Sequence, residues 1–169
     1  YSHTVLIPAL VMPGTSDVIV LEPEFIVPQD GAVKQDCERN AAKRWVKRNA
    51  IHFAGQRVTL LADDLHCNQP FCELLSKHQI DFVMTCKPDS HEALYLEIAL
   101  LEKLGAVVQL TDRHWTGQTH ERWIYRFVQR VPMRAGASPL YVNWCELTIV
   151  DEASGLVLYH NAFRQSCRA

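Results

Sequence analysis

The chain has 169 residues, of which 48% are hydrophobic and 21% charged, and its formal net charge at pH 7 is −2. So small a net charge with this apolar content excludes an intrinsically disordered chain, and seven Gly with eight Pro exclude collagen-like or proline-rich low complexity. The apolar runs are too short for a transmembrane helix, no secretory signal is expected, and the length fits one domain or one domain plus part of another.

The first segments predict strands followed by a basic helix. Residues 4–13 and 17–27 are rich in Val, Ile and Leu and flank a Pro-Gly turn, with Pro8 indicating an edge strand or a bulge. Residues 28–31 are typical of a loop. Residues 36–50 predict a helix with Asp36 at or near its N-cap. The apolar stripe of that helix comprises Cys37, Ala41, Ala42, Trp45 and Val46.

The middle of the chain alternates strands and helices. Residues 58–62 form a continuous apolar run, which suits a strand buried on both faces. Asn68 is expected to cap a short helix with Pro70 in its first turn. Residues 80–86 predict another strand. A capping box of Asp89 and Glu92 should then open a helix that ends at Gly105.

Residues 107–162 change character, with strands and turns and little helical periodicity. We therefore expect an α/β fold with a mixed sheet over residues 1–106, followed by a β-rich insertion subdomain over residues 107–169. The six cysteines lack the Cys-x-x-Cys spacing of zinc sites and are expected to be reduced, mostly buried thiols.

An acidic pair, Asp63 and Asp64, follows directly after the predicted strand 58–62. Functional sites in α/β sheets commonly form at the carboxyl ends of strands. Clustered carboxylate oxygens at such an end would suit Mg²⁺. The alternative is that both acids belong to a loop and cap the helix near Asn68.

Basic residues indicate two candidate DNA-binding surfaces. Residues 31–60 hold seven Lys or Arg and two acids, which would suit a phosphate backbone. In residues 122–130, alternation places the aromatic side chains on one face, expected to meet a core, and arginines on the other, expected to face outwards. For both surfaces the alternative is an ordinary solvated face. The candidate residues are Arg39, Lys43, Arg44, Lys47, Arg48, Arg122, Arg126 and Arg130.

Several stretches together resemble a DDE-type bacterial insertion-sequence transposase. They are YSHTVLIPALVMPG, LEPEFIVPQDGAVKQDCERNAAKRW, LLADDLHCNQPFCELL and DFVMTCKPDSHEAL. The likeness extends to about Phe163, and the block around Asp63 is its most specific part.

The resemblance implies an RNase H and retroviral-integrase-like mixed sheet with flanking helices. Such enzymes cleave DNA and transfer strands with two Mg²⁺ or Mn²⁺ ions bound by two Asp and one Glu. It makes Asp63 the second catalytic Asp, with Asp64 as the alternative, and both are candidate metal ligands. The first Asp and the final Glu are expected on a strand before Tyr1 and a helix beyond the insertion. We therefore expect this chain to be inactive alone.

The resemblance also implies partners and location: transposon-end and target DNA, a possible homodimer, no membrane, and the bacterial cytoplasm near the nucleoid. Without the first strand of the core sheet, the chain should expose a sheet edge. A second interpretation is a non-catalytic DNA-binding or interaction remnant with an RNase H-like fold. A third is a metal-dependent nuclease of that fold that does not transpose.

Overall fold

The computed structural model describes residues 4–27, 36–134 and 136–167, and the chain divides between Gly55 and Gln56 into two compact units. It is an α/β fold with a mixed sheet, as predicted, but that sheet takes its strands from residues 59–166 and not from residues 1–106 alone. The loop predicted at residues 28–31 lies outside the described residues. No described helix has the length and apolar character needed to cross a membrane.

The first unit contains two nested antiparallel strand pairs and one α-helix. The outer pair joins β1 and β4, and the inner pair joins β2 and β3. Pro8 separates β1 from β2 and its carbonyl accepts a hydrogen bond from Leu21 N at 2.9 Å, so the long strands expected from the sequence are each broken in two. The bounds are β1 Thr4–Leu6, β2 Ala9–Val11, β3 Val18–Val20, β4 Glu24–Ile26 and α1 Glu38–Asn49.

The helix α1 buries the stripe expected from its sequence. Ala41, Ala42, Trp45 and Val46 are all buried, and the Trp45 indole N–H donates to the Glu22 carbonyl at 2.8 Å. Cys37 is the N-cap residue and is exposed. It therefore lies outside the stripe, and Asp36 stands one position earlier than a capping residue.

The second unit is built on one six-stranded sheet in the order β5-β6-β10-β9-β8-β7. The β5 and β6 strands are parallel, and every other neighbouring pair is antiparallel. The predicted boundary at residues 106 and 107 falls within this unit, whose sheet takes strands from both sides of it. The bounds are β5 Thr59–Ala62, β6 Asp81–Thr85, β7 Val108–Trp115, β8 His120–Pro132, β9 Tyr141–Asp151 and β10 Val157–Ser166.

Two helices, α2 Gln69–Lys77 and α3 Glu92–Lys103, accompany this sheet. The α2 helix starts as predicted, because the Asn68 side chain accepts a hydrogen bond from Phe71 N at 3.2 Å. Phe71, Cys72 and Leu75 of α2 are buried, as are Phe82 and Met84 of β6. Burial of these apolar side chains is the main source of stability for such a layer.

Two local predictions in this unit are wrong. The β5 strand is an edge strand and Leu61 is 66% exposed, so β5 is not buried on both faces. The capping box of Asp89 and Glu92 does not form. Residues Pro88–Ser90 make a short 3-10 helix, and His91 occupies the N-cap position of α3 without a side-chain capping hydrogen bond.

Candidate functional site

Asp63 follows the last residue of β5, at the edge where the parallel strands β5 and β6 both end. Its backbone is extended, with φ −82° and ψ −177°, and its Oδ1 accepts a hydrogen bond from Leu65 N at 3.1 Å. The residue is exposed. Asp63 therefore caps the short 3-10 helix Asp64–His66 with one oxygen and presents its carboxylate to solvent.

Asp64 is held against the segment that follows β6. Its Oδ1 accepts a hydrogen bond from Lys87 N at 2.6 Å and lies 3.1 Å from His91 Nε2. Burial raises the pKa of Asp64, but hydrogen bonds from Ser90 and the Lys87 amide outweigh it, so the pKa lies below its ordinary value. Asp64 therefore connects the end of β5 to the turn after β6 through a hydrogen bond. Asp63 is the carboxylate of the pair that faces solvent.

His91 is the neighbour of this pair that the sequence did not single out. Burial and the positive charge of Arg164 lower the pKa of His91, despite the nearby Asp64. Its imidazole is therefore neutral near pH 7. Its place beside Asp64 depends on the turn after β6, and no sequence spacing signals it.

A two-metal centre needs several carboxylates around one point. Within residues 4–27, 36–134 and 136–167, no three His, Cys, Asp or Glu side chains come together as a set of metal ligands. Glu121 and Glu146 lie on strands of the sheet, and Glu146 is engaged by Arg126 and His160 at 2.7 and 3.0 Å. The described residues therefore do not fit the two-metal site that the resemblance implies.

Two of the candidate DNA-binding residues on α1 form ion pairs within the first unit. The Arg44 guanidinium donates a hydrogen bond to each carboxylate oxygen of Asp36 at 2.8 Å and contacts Glu24 Oε1 at 2.9 Å. Arg48 contacts the other Glu24 oxygen at 2.7 Å. The bidentate geometry makes the Asp36 pair a strong one, and these arginines serve to join α1 to β4 and the segment before the helix.

The other basic residues of α1 are differently placed. Lys47 is exposed and Lys43 is half-buried, and neither forms an ion pair with a described carboxylate. Arg39, one turn earlier, is exposed. Lys43 and Lys47 therefore keep their positive charge available on the wet side of α1.

Acid is expected to remove the contribution of Asp36 to the stability of the first unit. Hydrogen bonds from Arg44 lower the pKa of Asp36 from 3.8 to about 2. A lowered pKa means that the stabilisation is fully present above pH 3.8 and is lost as the pH falls through about 2. Urea unfolding of the wild type and Asp36→Asn should give a difference in unfolding free energy that shrinks over this range. A difference that does not change with pH would contradict this assignment.

Arg126 of β8 lies on the covered side of the sheet, whereas the arginine row was expected to face outwards. Arg126 stands opposite Glu146, and Val128 opposite the buried Trp144. Directly opposed residues share a face. Arg126 also forms an ion pair with Glu102 of α3 at 2.7 Å, so its charge is neutralised inside the unit.

A bulge changes the end of β8. The register with β9 shifts between Val128 and Val131, and Arg130 has a positive φ of 58°. The extra residue breaks the alternation, so Arg130 does not continue the arginine row. Its guanidinium lies 5.6 Å from the centre of the Tyr141 ring. Arg122, near the other end of β8, is exposed.

The aromatic row of β8 occupies the opposite, more open face. Trp123, Tyr125 and Phe127 are half-buried, and Val108 and Leu110 opposite them on β7 are 46% and 57% exposed. The alternation predicted which residues share a face, but the expectation that the arginine face points outwards is wrong at Arg126, which contacts Glu102 of α3.

One buried group had no sequence signal. Arg164 of β10 is 2% exposed and stands opposite Met84 and Trp144. No described carboxylate lies within ion-pairing distance of it, and its Nε has no hydrogen-bond partner. Its charge acts on the buried thiol of Cys67, whose pKa burial raises to about 11 against the lowering effect of the guanidinium.

Comparison with known proteins adds no relative: no protein-family model matches the chain, and no curated protein matches it.

Proposed function

We propose that this chain is part of the catalytic core of a DDE-type insertion-sequence transposase, with an RNase H-like fold and DNA as its partner. The observation that carries the proposal is the position of Asp63, an exposed carboxylate at the carboxyl end of a strand in a mixed sheet. That end of a sheet is where α/β proteins place functional groups. The resemblance of the block around Asp63 to such transposases supports the same assignment.

Different roles are proposed for the two members of the acidic pair. Asp63 has a carboxylate oxygen that no hydrogen bond within the described residues occupies, whereas Asp64 is held by the Lys87 amide. Asp63 is therefore the proposed metal ligand and Asp64 holds the strand end in place. Asp63 would supply one ligand to Mg²⁺ or Mn²⁺, whose chemistry at phosphorus needs further carboxylates that the described residues do not bring to it. One carboxylate does not hold two such ions, so we propose that the chain alone does not cleave DNA.

Contacts with DNA are proposed for the basic residues that no described carboxylate neutralises. On α1 these are Lys43 and Lys47, and on β8 they are Arg122 and Arg130. Arg44, Arg48 and Arg126 are engaged in ion pairs and are expected to contribute less. Phosphate contacts of this kind position a protein on DNA without selecting a sequence.

Salt-dependent binding to duplex DNA tests this proposal. The double variant Lys43→Ala/Lys47→Ala should weaken binding and reduce the slope of log affinity against log salt by about 1 for each phosphate that is no longer neutralised. Lys77→Ala, which removes an exposed lysine at the end of α2, is the matched control and should leave the slope unchanged. Equal effects of the two changes would count against α1 as the DNA-binding surface.

The wild-type chain used in these binding experiments should not nick supercoiled plasmid in the presence of Mg²⁺ or Mn²⁺. Metal-dependent nicking that Asp63→Ala abolishes would contradict the proposed inactivity of the isolated chain. Loss of DNA binding in every condition would contradict the transposase assignment itself.

A second candidate function is a non-catalytic DNA-binding or interaction module of the same fold. The observation that favours it is that the described residues bring no second and third ligand to Asp63. The two candidate functions differ in whether Asp63 binds a metal ion. A module of this kind would bind DNA equally well with Asp63→Asn, whether or not Mg²⁺ is present.

A further inference from the structure

The outer edge of β5 is open to another strand. The Val58 carbonyl accepts a hydrogen bond from Asp81 N at 3.1 Å, so the backbone groups of Val58 point towards β6. Successive residues of a strand direct their groups to opposite sides, so those of Thr59 and Leu61 point away from β6. Both residues are exposed, and β5 has β6 as its one neighbour among the described strands.

This edge lacks the devices that normally protect a sheet edge. The strand β7 at the other end of the sheet is fully exposed but carries Asp112, Arg113 and His114, and such residues discourage pairing with another chain. Residues 58–62 contain no charged side chain and no proline. An apolar edge of this kind is a template for one more strand.

The ends of this edge carry opposite charges. Arg57, just before β5, is exposed, and the exposed Asp63 follows its last residue. Two copies of this segment aligned antiparallel about Leu60 would place Arg57 of each copy opposite Asp63 of the other. In the same register Thr59 stands opposite Leu61, and both present their backbone groups to the shared edge.

Hydrogen bonding and charge therefore select the same register. If one copy shifted by one residue, its backbone groups that face the shared edge would stand opposite groups of the other copy that face away from it. The hydrogen bonds between the two copies of β5 would then not form. Centring the pair on Leu60 keeps the ladder and also matches Arg57 with Asp63. Because Arg57 and Asp63 have the same parity along the strand, their side chains would lie on one face.

We propose that the free edge of β5 pairs antiparallel with β5 of a second copy of this chain, forming a two-fold symmetric dimer with one continuous sheet. The arrangement is isologous, because each copy presents the same segment to the other. The dimer does not rest on the proposed enzymatic role, but the first core strand that the resemblance implies would compete with a second copy for this edge. The dimer would also place Asp63 against Arg57 of the other copy, so dimerisation and any ligand at Asp63 would compete.

Sedimentation velocity over a range of concentrations tests the dimer. So short an edge buries much less area than a standard interface, so a dissociation constant on the order of 10–100 μM is expected. Thr59→Pro removes the outward N–H without touching the ladder to β6 and should leave the protein monomeric. Thr59→Val keeps that N–H and should dimerise like the wild type.

A charge exchange tests the register. Arg57→Glu places two carboxylates opposite each other at both ends of the interface and should weaken the dimer by about tenfold. The double change Arg57→Glu/Asp63→Arg should restore most of the affinity. Asp63→Arg also removes the hydrogen bond that Asp63 accepts from Leu65 N, which lowers the stability of the monomer and the dimer alike.

Three results would overturn the proposal. One is a monomer at every concentration up to about 1 mM, well above the expected range. Another is a dimer that Thr59→Pro leaves intact. The last is a dimer that Leu110→Lys on β7 dissociates while the charge exchange has no effect, which would assign the interface to the other end of the sheet.

Discussion

Replacing Arg44 with Met is expected to lower the free energy of unfolding of the first unit by about 2–3 kcal/mol. Removing one partner takes charge-assisted hydrogen bonds away from desolvated carboxylates, and here the Asp36 and Glu24 side chains are only 2% and 9% exposed. The Arg44 side chain is itself 40% exposed, which keeps the cost below that of a fully buried pair. Hydrogen–deuterium exchange of the α1 amides measures the loss locally.

Two matched variants separate charge from geometry at this position. Lys47→Met removes a positive charge from the same helix where no described carboxylate pairs with it, and should change stability by less than about 0.5 kcal/mol. Arg44→Lys keeps the positive charge but not the planar guanidinium. Its loss of unfolding free energy should lie between those of Arg44→Met and Lys47→Met. If Arg44→Met instead weakens DNA binding and leaves exchange unchanged, Arg44 contacts DNA as the sequence suggested, and its ion pairs contribute little to the fold.

Replacing Arg164 is expected to have opposite effects depending on the shape of the new side chain. A buried guanidinium without a carboxylate has a large desolvation penalty, and exchanging buried charges for apolar side chains of similar size is often neutral or stabilising. Arg164→Met should therefore leave the unfolding free energy of the second unit unchanged or raise it by about 1 kcal/mol. Arg164→Ala should lower it by about 3 kcal/mol, because it leaves a cavity beside Trp144 and Met84.

Urea unfolding followed by Trp fluorescence measures both variants. The thiol of Cys67 provides an independent readout, because the positive charge of Arg164 lowers its pKa. Alkylation of Cys67 should be slower in Arg164→Met than in the wild type at equal stability. If Arg164→Met destabilises as much as Arg164→Ala, the guanidinium makes interactions that outweigh its desolvation.

The acidic pair illustrates how far a motif can be interpreted from sequence. The block Ala62-Asp63-Asp64 predicted a strand end with two carboxylates, and both follow β5 as expected. Which of them faces solvent is decided by the segment after β6, since Lys87 N binds Asp64. That segment lies more than twenty residues along the chain, so no local pattern at Asp63 contains the information.

The arginines of α1 and β8 show the same limit. Their spacing predicted a basic helix face and a row on one face of a strand, and both alignments hold up to the bulge in β8. Spacing says nothing about the partners of those charges. Arg44 meets Glu24 across twenty residues, and Arg126 meets Glu102 and Glu146 on two other elements.

By itself, the sequence determined the features that depend on neighbouring residues. These include the buried stripe of α1, the Asn68 cap with Pro70 in the first turn of α2, the strand β6 and the run of strands after residue 107. Each follows from periodicity or capping within one or two turns of chain.

Only the tertiary structure decided the order of the strands and the environment of each charge. It made β5 an edge strand of the described sheet, placed Arg126 on the covered side and enclosed Arg164 with no described carboxylate beside it. The physical reason is that the burial and charge pairing of a residue depend on groups brought near it by sheet pairing and helix packing, often from distant parts of the chain.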